Sequence, residues 1–306
     1  MARGMDYRKV MGVEDLAARY GAGKGTSIAI LDSGKPEIRC FPAARYSDPE
    51  CGADVFGHAT SIASILFGGN GIYGVCEGAH PIYFKTLDDS GRGSVKSVIR
   101  GIEAAIDSDA DLINLSLGFM RTEKCPKSLK KACEKAYEAK KSIICAAGND
   151  GGPVNWPAAL ETTICVGSAG ENGLKMPFSS VGEVDFVAPG CNLKVLDVKG
   201  HWTTVSGTSF SCALVSGVAA LLIAEMKACN DVPDLDLVRS ALIGLSRDVG
   251  DVGWDKKTGY GLISRNNFDS TVCMMPDSGF FDKIIGKIKS LVGLKNTKES
   301  TNGSRV

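Results

Sequence analysis

Residues 27–34 read SIAILDSG, an apolar run from Ile28 to Leu31 that ends in Asp32 and a Ser33-Gly34 turn. A strand with no polar alternation is one buried on both faces, as in the middle of a parallel sheet. Further short apolar runs follow at Pro81–Leu87, Asp111–Leu117, Ser142–Ala147, Thr162–Val166 and Val184–Val187. Helical patterns separate or follow them at Thr60–Phe67, Ser94–Ser108, Ser128–Lys140, Thr208–Met226 and Leu235–Leu245. In the third of these, Leu129, Ala132, Cys133, Ala136 and Tyr137 recur at helical spacing. Strands alternating with helices predict an α/β fold: a doubly wound, mainly parallel β-sheet with helices on both faces, in three α/β/α layers. In such sheets the active site forms where the strands end.

The 306 residues are enough for one substantial core, and 44% apolar with 23% charged is a globular profile. Lys plus Arg and Asp plus Glu are each 35, so no net field draws the chain to nucleic acid. Met1–Arg19 lacks an unbroken apolar stretch of the secretory kind, and no other run reads as long enough to cross a bilayer. The eleven cysteines are scattered, with no C-x-x-C pair, and Cys145 and Cys165 sit inside apolar runs. Together these features predict a reduced, cytoplasmic setting. Cys40 and Cys51 are the one pair weighed as a disulfide.

Three segments place a reactive group at the edge of a regular element. Asp32 ends a strand, His58 opens the helix in DVFGHATSIASILF, and Ser209 stands between a Gly-rich turn and the small-residue helix of TVSGTSFSCALVSGVAALL. Each alone reads as a strand end, a helix-start residue or an N-cap. Together they supply what a serine nucleophile needs, a base to take its proton and an anion to orient that base. A fourth segment, SIICAAGNDGG, ends a strand in Gly148-Asn149, and its amide with the Ser209 backbone N–H forms an oxyanion site.

Taken together, DSG at Asp32, GHAT at His58, AAGN at Asn149 and SGTSFS at Ser209 resemble the signature set of the subtilases. Residues 73–75, DLINLSLG (111–118) and FSSVGEVDFVAPG (178–190) match in order, so the resemblance spans roughly residues 5 to 265. It implies a subtilisin-like serine endopeptidase, family S8, of an intracellular type without a pro-domain. Asp32, His58 and Ser209 become its catalytic residues and Asn149 its oxyanion donor. It also implies that a peptide or protein substrate lies extended between Gly91-Arg92-Gly93 and Ser116-Leu117-Gly118. Ala146-Ala147-Gly148 would wall the pocket for the side chain before the cut, with space for a large or apolar group.

The chain departs from the family in several places. Gly57-His58-Ala59-Thr60-Ser61 stands where Gly-His-Gly-Thr-His is usual, and Phe210-Ser211-Cys212-Ala213 where Met-Ala-Ser-Pro is usual. Losing that proline restores a backbone N–H and relaxes the helix near Ser209. The segment Gly68–Tyr73 is short and has no carboxylate, so no metal or other cofactor is expected, the family's strong calcium site included. The expected organisation is an N-terminal segment 1–25, a catalytic domain 26–272 and a C-terminal part 273–306. Residues 1–25 or the C-terminal part are weighed as covers for the cleft. In the latter, Phe280, Phe281, Ile284, Ile285, Ile288, Leu291 and Val292 fall on one helical face, suited to its own domain, a second copy or a membrane surface. Two rival functions stand beside hydrolysis: peptide ligation, cyclisation or leader removal in the maturation of a modified peptide, and peptide binding without catalysis.

Overall fold

The computed structural model describes residues 7–19, 21–38, 41–42, 46–47, 51–121 and 124–264. In chain order its strands are β1 (Ser27–Asp32), β2 (Tyr46–Ser47), β3 (Gly68–Gly69), β4 (Ile72–Tyr73), β5 (His80–Lys85), β6 (Leu112–Leu115) and β7 (Ser142–Ala146). They continue as β8 (Ile164–Ala169), β9 (Phe186–Pro189), β10 (Leu193–Leu196), β11 (Trp202–Val205), β12 (Ser246–Arg247) and β13 (Leu262–Ile263). The helices are α1 (Tyr7–Met11), α2 (Val13–Arg19), α3 (His58–Phe67), α4 (Val95–Ile106), α5 (Lys127–Glu138), α6 (Thr208–Ala228) and α7 (Leu235–Gly244).

The sheet runs β12-β13-β9-β8-β7-β6-β1-β5-β2. Every neighbouring pair in it is parallel except β12 with β13. Two cores flank it. On one face Ile28, Ile30, Leu112, Ile144 and Val166 meet α3 and α6; on the other Ala29, Leu31, Ile113, Ile143 and Cys145 meet α4 and α5. The alternation along β1 of Ile28 and Ile30 against Ala29 and Leu31 is the period-2 pleat feeding both layers. The α/β/α expectation therefore holds.

Three sequence expectations need correction. By length and composition α6 is apolar enough to cross a membrane, but 89% of its apolar window is buried inside the protein, where it is the central core helix. The described part of residues 7–25 does not cover the cleft. Tyr7, Met11 and Val13 are buried in the α6 core, and Lys227 near the far end of α6 donates to the Gly25 carbonyl at 2.8 Å. Lastly, β10 and β11 form an antiparallel hairpin that no apolar pattern announced. Cys40, and with it the Cys40–Cys51 pairing, lies outside the described residues, as does the amphipathic segment 280–292.

Candidate active site

Asp32 is the last residue of β1, and His58 and Ser209 stand in the first turns of α3 and α6. The parallel sheet brings these three ends to one rim. Asp32 is fully buried, and both its oxygens lie 2.9 Å from His58 Nδ1. The His58 side chain keeps 18% exposure. Burial alone would lower its pKa. The Asp32 charge and hydrogen bond, with the charge of Asp54, outweigh that and leave it raised above the ordinary 6.5.

Asp54 was not singled out from the sequence, yet it holds this corner together. One oxygen accepts from the Gly57 N–H (2.8 Å) and the Ser33 hydroxyl (2.8 Å). The other accepts from the N–H and hydroxyl of Thr60, both at 2.7 Å. The Ala59 N–H is taken by Ser33 Oγ at 3.0 Å. Free N–H groups at a helix start need such partners, so Asp54 and Ser33 cap the helix that carries His58. Ser33 Oγ also lies 3.0 Å from Asp32, which ties the two carboxylates into one network. The Lys85 ammonium donates to the Ser33 carbonyl and pairs with Asp89 at 3.0 Å. The sign in the sequence was an acidic residue four positions before the histidine, too common a pattern to single out.

The Ser209 hydroxyl donates to the Ser116 carbonyl at 2.7 Å rather than to His58. Phe210, where the family usually has Met, packs its ring 5.5 Å from the His58 ring. Asn149 is oriented from behind. Its side-chain carbonyl accepts from the Thr208 N–H (2.8 Å) and hydroxyl (3.0 Å), which leaves its NH₂ as the unspent donor. Gly207 lies beside it, where a Cβ would meet that nitrogen in ordinary contact at 3.4 Å, and its φ of 150° is one that side-chain-bearing residues rarely adopt. The N–H groups of the first turn of the 21-residue α6 have no partner within the helix, so the Ser209 N–H stands beside it as a second donor.

Residues 23–261 match the profile of the subtilase family. The chain belongs to that family. It is 35% identical over 251 residues to the minor extracellular protease Epr of Bacillus subtilis (strain 168), an overlap covering 79% of this chain and 38% of Epr. It is 29% identical over 256 residues to subtilisin DY of Bacillus licheniformis, covering 79% and 90%. Among solved structures, the prenylagaramide maturation protease PagA superposes with a TM-score of 0.74 at 28% identity, covering 83% of this subtilase and 95% of PagA. A serine-to-alanine mutant of the PatA protease domain superposes at 0.72 and 26%, covering 87% and 98%. This subtilase thus spans less than two fifths of Epr, and 57% of the thermostable alkaline protease of Halalkalibacterium halodurans.

The substrate-binding residues inferred from the resemblance fall in place unevenly. Ser116-Leu117-Gly118 follow β6, and Ala146-Ala147-Gly148 end β7 and run on beyond it, on neighbouring strands, with Ser116 bonded to Ser209. In Gly91-Arg92-Gly93, by contrast, the main chain of Arg92 is spent. Its N–H goes to the Asp88 carboxylate (3.0 Å), and its carbonyl accepts the Asp88 N–H (2.8 Å). Gly93 bridges Leu87. Among the described residues the Gly93 N–H and carbonyl make no hydrogen bond, so they and the exposed Arg92 side chain are left to meet a substrate there. As for the family's calcium, β3 and β4 make a tight hairpin around Asn70-Gly71 that contains no carboxylate. Asn70 donates to the Gly200 carbonyl at 3.1 Å. That donor set does not fit a strong calcium site. Among the described residues there is no cluster of three metal-binding side chains.

Proposed function

We propose that this subtilase is a serine endopeptidase that cuts peptide bonds through an acyl-enzyme on Ser209. The observation that carries this reading is the buried Asp32 held at 2.9 Å on His58 Nδ1, on the same rim as the start of α6. Asp32 fixes the tautomer in which His58 Nε2 is a free base facing the cleft, and it stabilises the imidazolium that forms. The Ser209 hydroxyl leaves the Ser116 carbonyl, gives its proton to Nε2 and attacks the substrate carbonyl. The resulting oxyanion is met by the Asn149 NH₂ and the Ser209 N–H, donors placed before charge develops. His58 then hands the proton to the leaving amine, and water repeats the sequence on the acyl-enzyme. The catalytic domain is assigned to residues 26–272, which the family match over 23–261 supports.

A reduced compartment suits the chain, because Cys76, Cys133, Cys145, Cys165 and Cys212 are buried thiols outside any disulfide. Burial pushes the thiol pKa of Cys133 and of Cys212 up to about 12, so neither is a competing nucleophile. A second reading, processing or ligation in the maturation of a modified peptide, is favoured by the likeness to the maturation protease PagA. The test is fluorophosphonate labelling followed by mass spectrometry of peptide products, with and without an added amine. Labelling of Ser209 with hydrolysed ends supports the first reading, and amine-capped ends the second. No labelling and no cleavage leave only a peptide-binding protein.

A further inference from the structure

Asn155 occupies a seam between the chain segments that continue β6 and β7 beside Ser209. Its N–H donates to the Ala147 carbonyl at 2.9 Å, joining it to the segment that continues β7. The next residue, Trp156, exchanges both backbone hydrogen bonds with Phe119 (2.7 and 2.9 Å), joining the same stretch to the segment that continues β6. The side chain then lies between two glycines. A Cβ on Gly118 would stand 3.1 Å from Asn155 Cβ, and a Cβ on Gly148 would stand 2.7 Å from Asn155 Nδ2. With φ at 118°, Gly148 is also in a conformation that side-chain-bearing residues rarely adopt. Both segments are thus bare where the amide sits. Gly118 is two residues beyond Ser116, which holds the nucleophile, and Gly148 immediately precedes the oxyanion donor Asn149.

Among the described residues nothing bonds to this side-chain amide. Asn155 Oδ1 is buried without a hydrogen-bond partner, and among the described residues no bond is made by Nδ2. A neutral amide left so between two glycines is a polar group waiting for one from a ligand, since leaving it unmatched is costly. Its polar neighbours are already committed. The Ser180 hydroxyl, 2.6 Å from the place of a Gly148 Cβ, donates to Asp150 at 2.9 Å, and the Gly152 N–H donates to the same carboxylate at 3.0 Å. Those two bonds hold the exposed Asp150 carboxyl below its usual range, so it is anionic at neutral pH and repels acidic side chains.

We propose that Asn155 reads the substrate residue immediately before the cut, and that this residue carries an uncharged polar side chain, a carboxamide or a hydroxyl. The proposal rests on the peptidase reading above and on the resemblance that makes the space beside Ala146-Ala147-Gly148 the pocket for that residue. It departs from the large or apolar side chain that Ala146-Ala147-Gly148 alone suggested. The Asn155 NH₂ is a donor, and the oxygen of a substrate carboxamide or hydroxyl can accept from it. A thioether or alkyl chain of equal length fills the same space and leaves it unmatched.

The test uses quenched-fluorescence peptides that differ only at that residue, with Gln, Met, Lys or Glu, each measured as kcat/KM. The wild-type chain is expected to favour Gln over Met about tenfold, the worth of one good neutral hydrogen bond. Asn155→Leu should reverse that order while Ser209 still takes a fluorophosphonate label. Asn155→Asp, which keeps the shape, should move the preference from Gln to Lys and serves if the leucine variant fails to fold. Equal Gln-to-Met ratios in wild type and variants, or a wild-type preference for Met, would overturn the assignment. So would a wild-type preference for Lys, which passes the role to Asp150. Labelling and cleavage without discrimination sink Asn155 alone. Absence of both sinks the peptidase reading and takes the assignment with it.

Discussion

Ser209 and Ser116 hold each other by two reciprocal hydrogen bonds: the Ser209 hydroxyl donates to the Ser116 carbonyl at 2.7 Å, and the Ser116 hydroxyl to the Ser209 carbonyl at 2.8 Å. The nucleophile is therefore parked on the very strand edge that an extended substrate would pair with. A peptide N–H that claims the Ser116 carbonyl displaces the hydroxyl toward His58. Ser209→Ala removes the nucleophile but keeps the Ser116 hydroxyl bond to its backbone. Its fold should stay intact by circular dichroism, and its turnover should fall by several orders of magnitude, because triad members act as a unit. Near wild-type peptidase activity in the purified variant would take Ser209 out of the mechanism.

Among the described residues the Asn149 side chain is held through its carbonyl, by Thr208, so Asn149→Leu deletes the proposed oxyanion donor and leaves the Thr208 donors without their acceptor. A fall in kcat of ~10²–10³ with little change in KM is expected, the size seen for such a donor in subtilisin. Thr208 is fully buried, so its N–H and hydroxyl would be left without an acceptor, and the melting temperature should fall as well. A rise in KM with kcat unchanged would assign Asn149 to ground-state binding.

The raised His58 pKa fixes the sign of two pH effects. Catalysis requires the neutral imidazole, so kcat/KM should rise with pH through an apparent pKa above 6.5. Stability runs the other way. A histidine whose folded pKa exceeds its unfolded value stabilises fully below the unfolded pKa, and that contribution is lost as pH rises through the folded one. Asp54→Asn removes one of the two carboxylates that raise the pKa, while Lys85 and Asp89 beyond Ser33 are unchanged. The acid limb should then move to lower pH, with a loss of roughly 1 kcal/mol or more from the weakened cap of α3. An acid limb that stays in place would limit Asp54 to a structural role.

How much of this was legible in the sequence depends on whether the determinant is local. β1 was read to the residue, because Ile28 to Leu31 feed two cores and Asp32 ends the run. The strand expected at Thr162–Val166 begins instead at Ile164 and runs to Ala169. The Thr163 N–H and hydroxyl both turn back to the Leu160 carbonyl, while Gly167 and Ser168, poor strand formers, are held by β9 and by the Ser179 hydroxyl. β10 and β11 escaped because Trp202 to Val205 pair across a turn with little burial to pattern them. The motifs pointed to Asp32 and His58, which the structure brings into contact, and to Ser209 and Asn149 near them. Asp54 and Asn155 were not legible, since each acts through partners that only the folded chain brings near.

The β3–β4 hairpin makes a prediction about metal. Asn70 is committed to Gly200, and Gly68 to Tyr73 offer no carboxylate, so no strong calcium site is expected to support this edge. Adding a chelator should shift the melting temperature by no more than about 2 °C, since only a ligand bound far above its Kd stabilises appreciably. A large drop restored by calcium would place a cation site elsewhere in the chain.

Arg92 gives the last test, one the structure has narrowed. Its backbone is closed on Asp88, so it cannot add a strand to a substrate at that position, and any role must come from its exposed guanidinium. That cation lies near the Asp88 carboxylate, whose pKa is lowered first by the Ser90 hydroxyl, then by the Arg92 and Ser90 N–H groups, with a smaller part from the Arg92 charge. A substrate carboxylate four residues before the cut must therefore share the guanidinium with Asp88. An exposed pair contributes ~0.2–1 kcal/mol and weakens with salt. The expected preference for Glu over Gln at that substrate position is a factor of about two in kcat/KM, vanishing above roughly 0.5 M salt. Arg92→Ala should erase it without altering kcat for the Gln peptide. If wild type and variant give the same Glu-to-Gln ratio at low salt, Arg92 is a solvated loop charge, and substrate charge is not read on this side of the cleft.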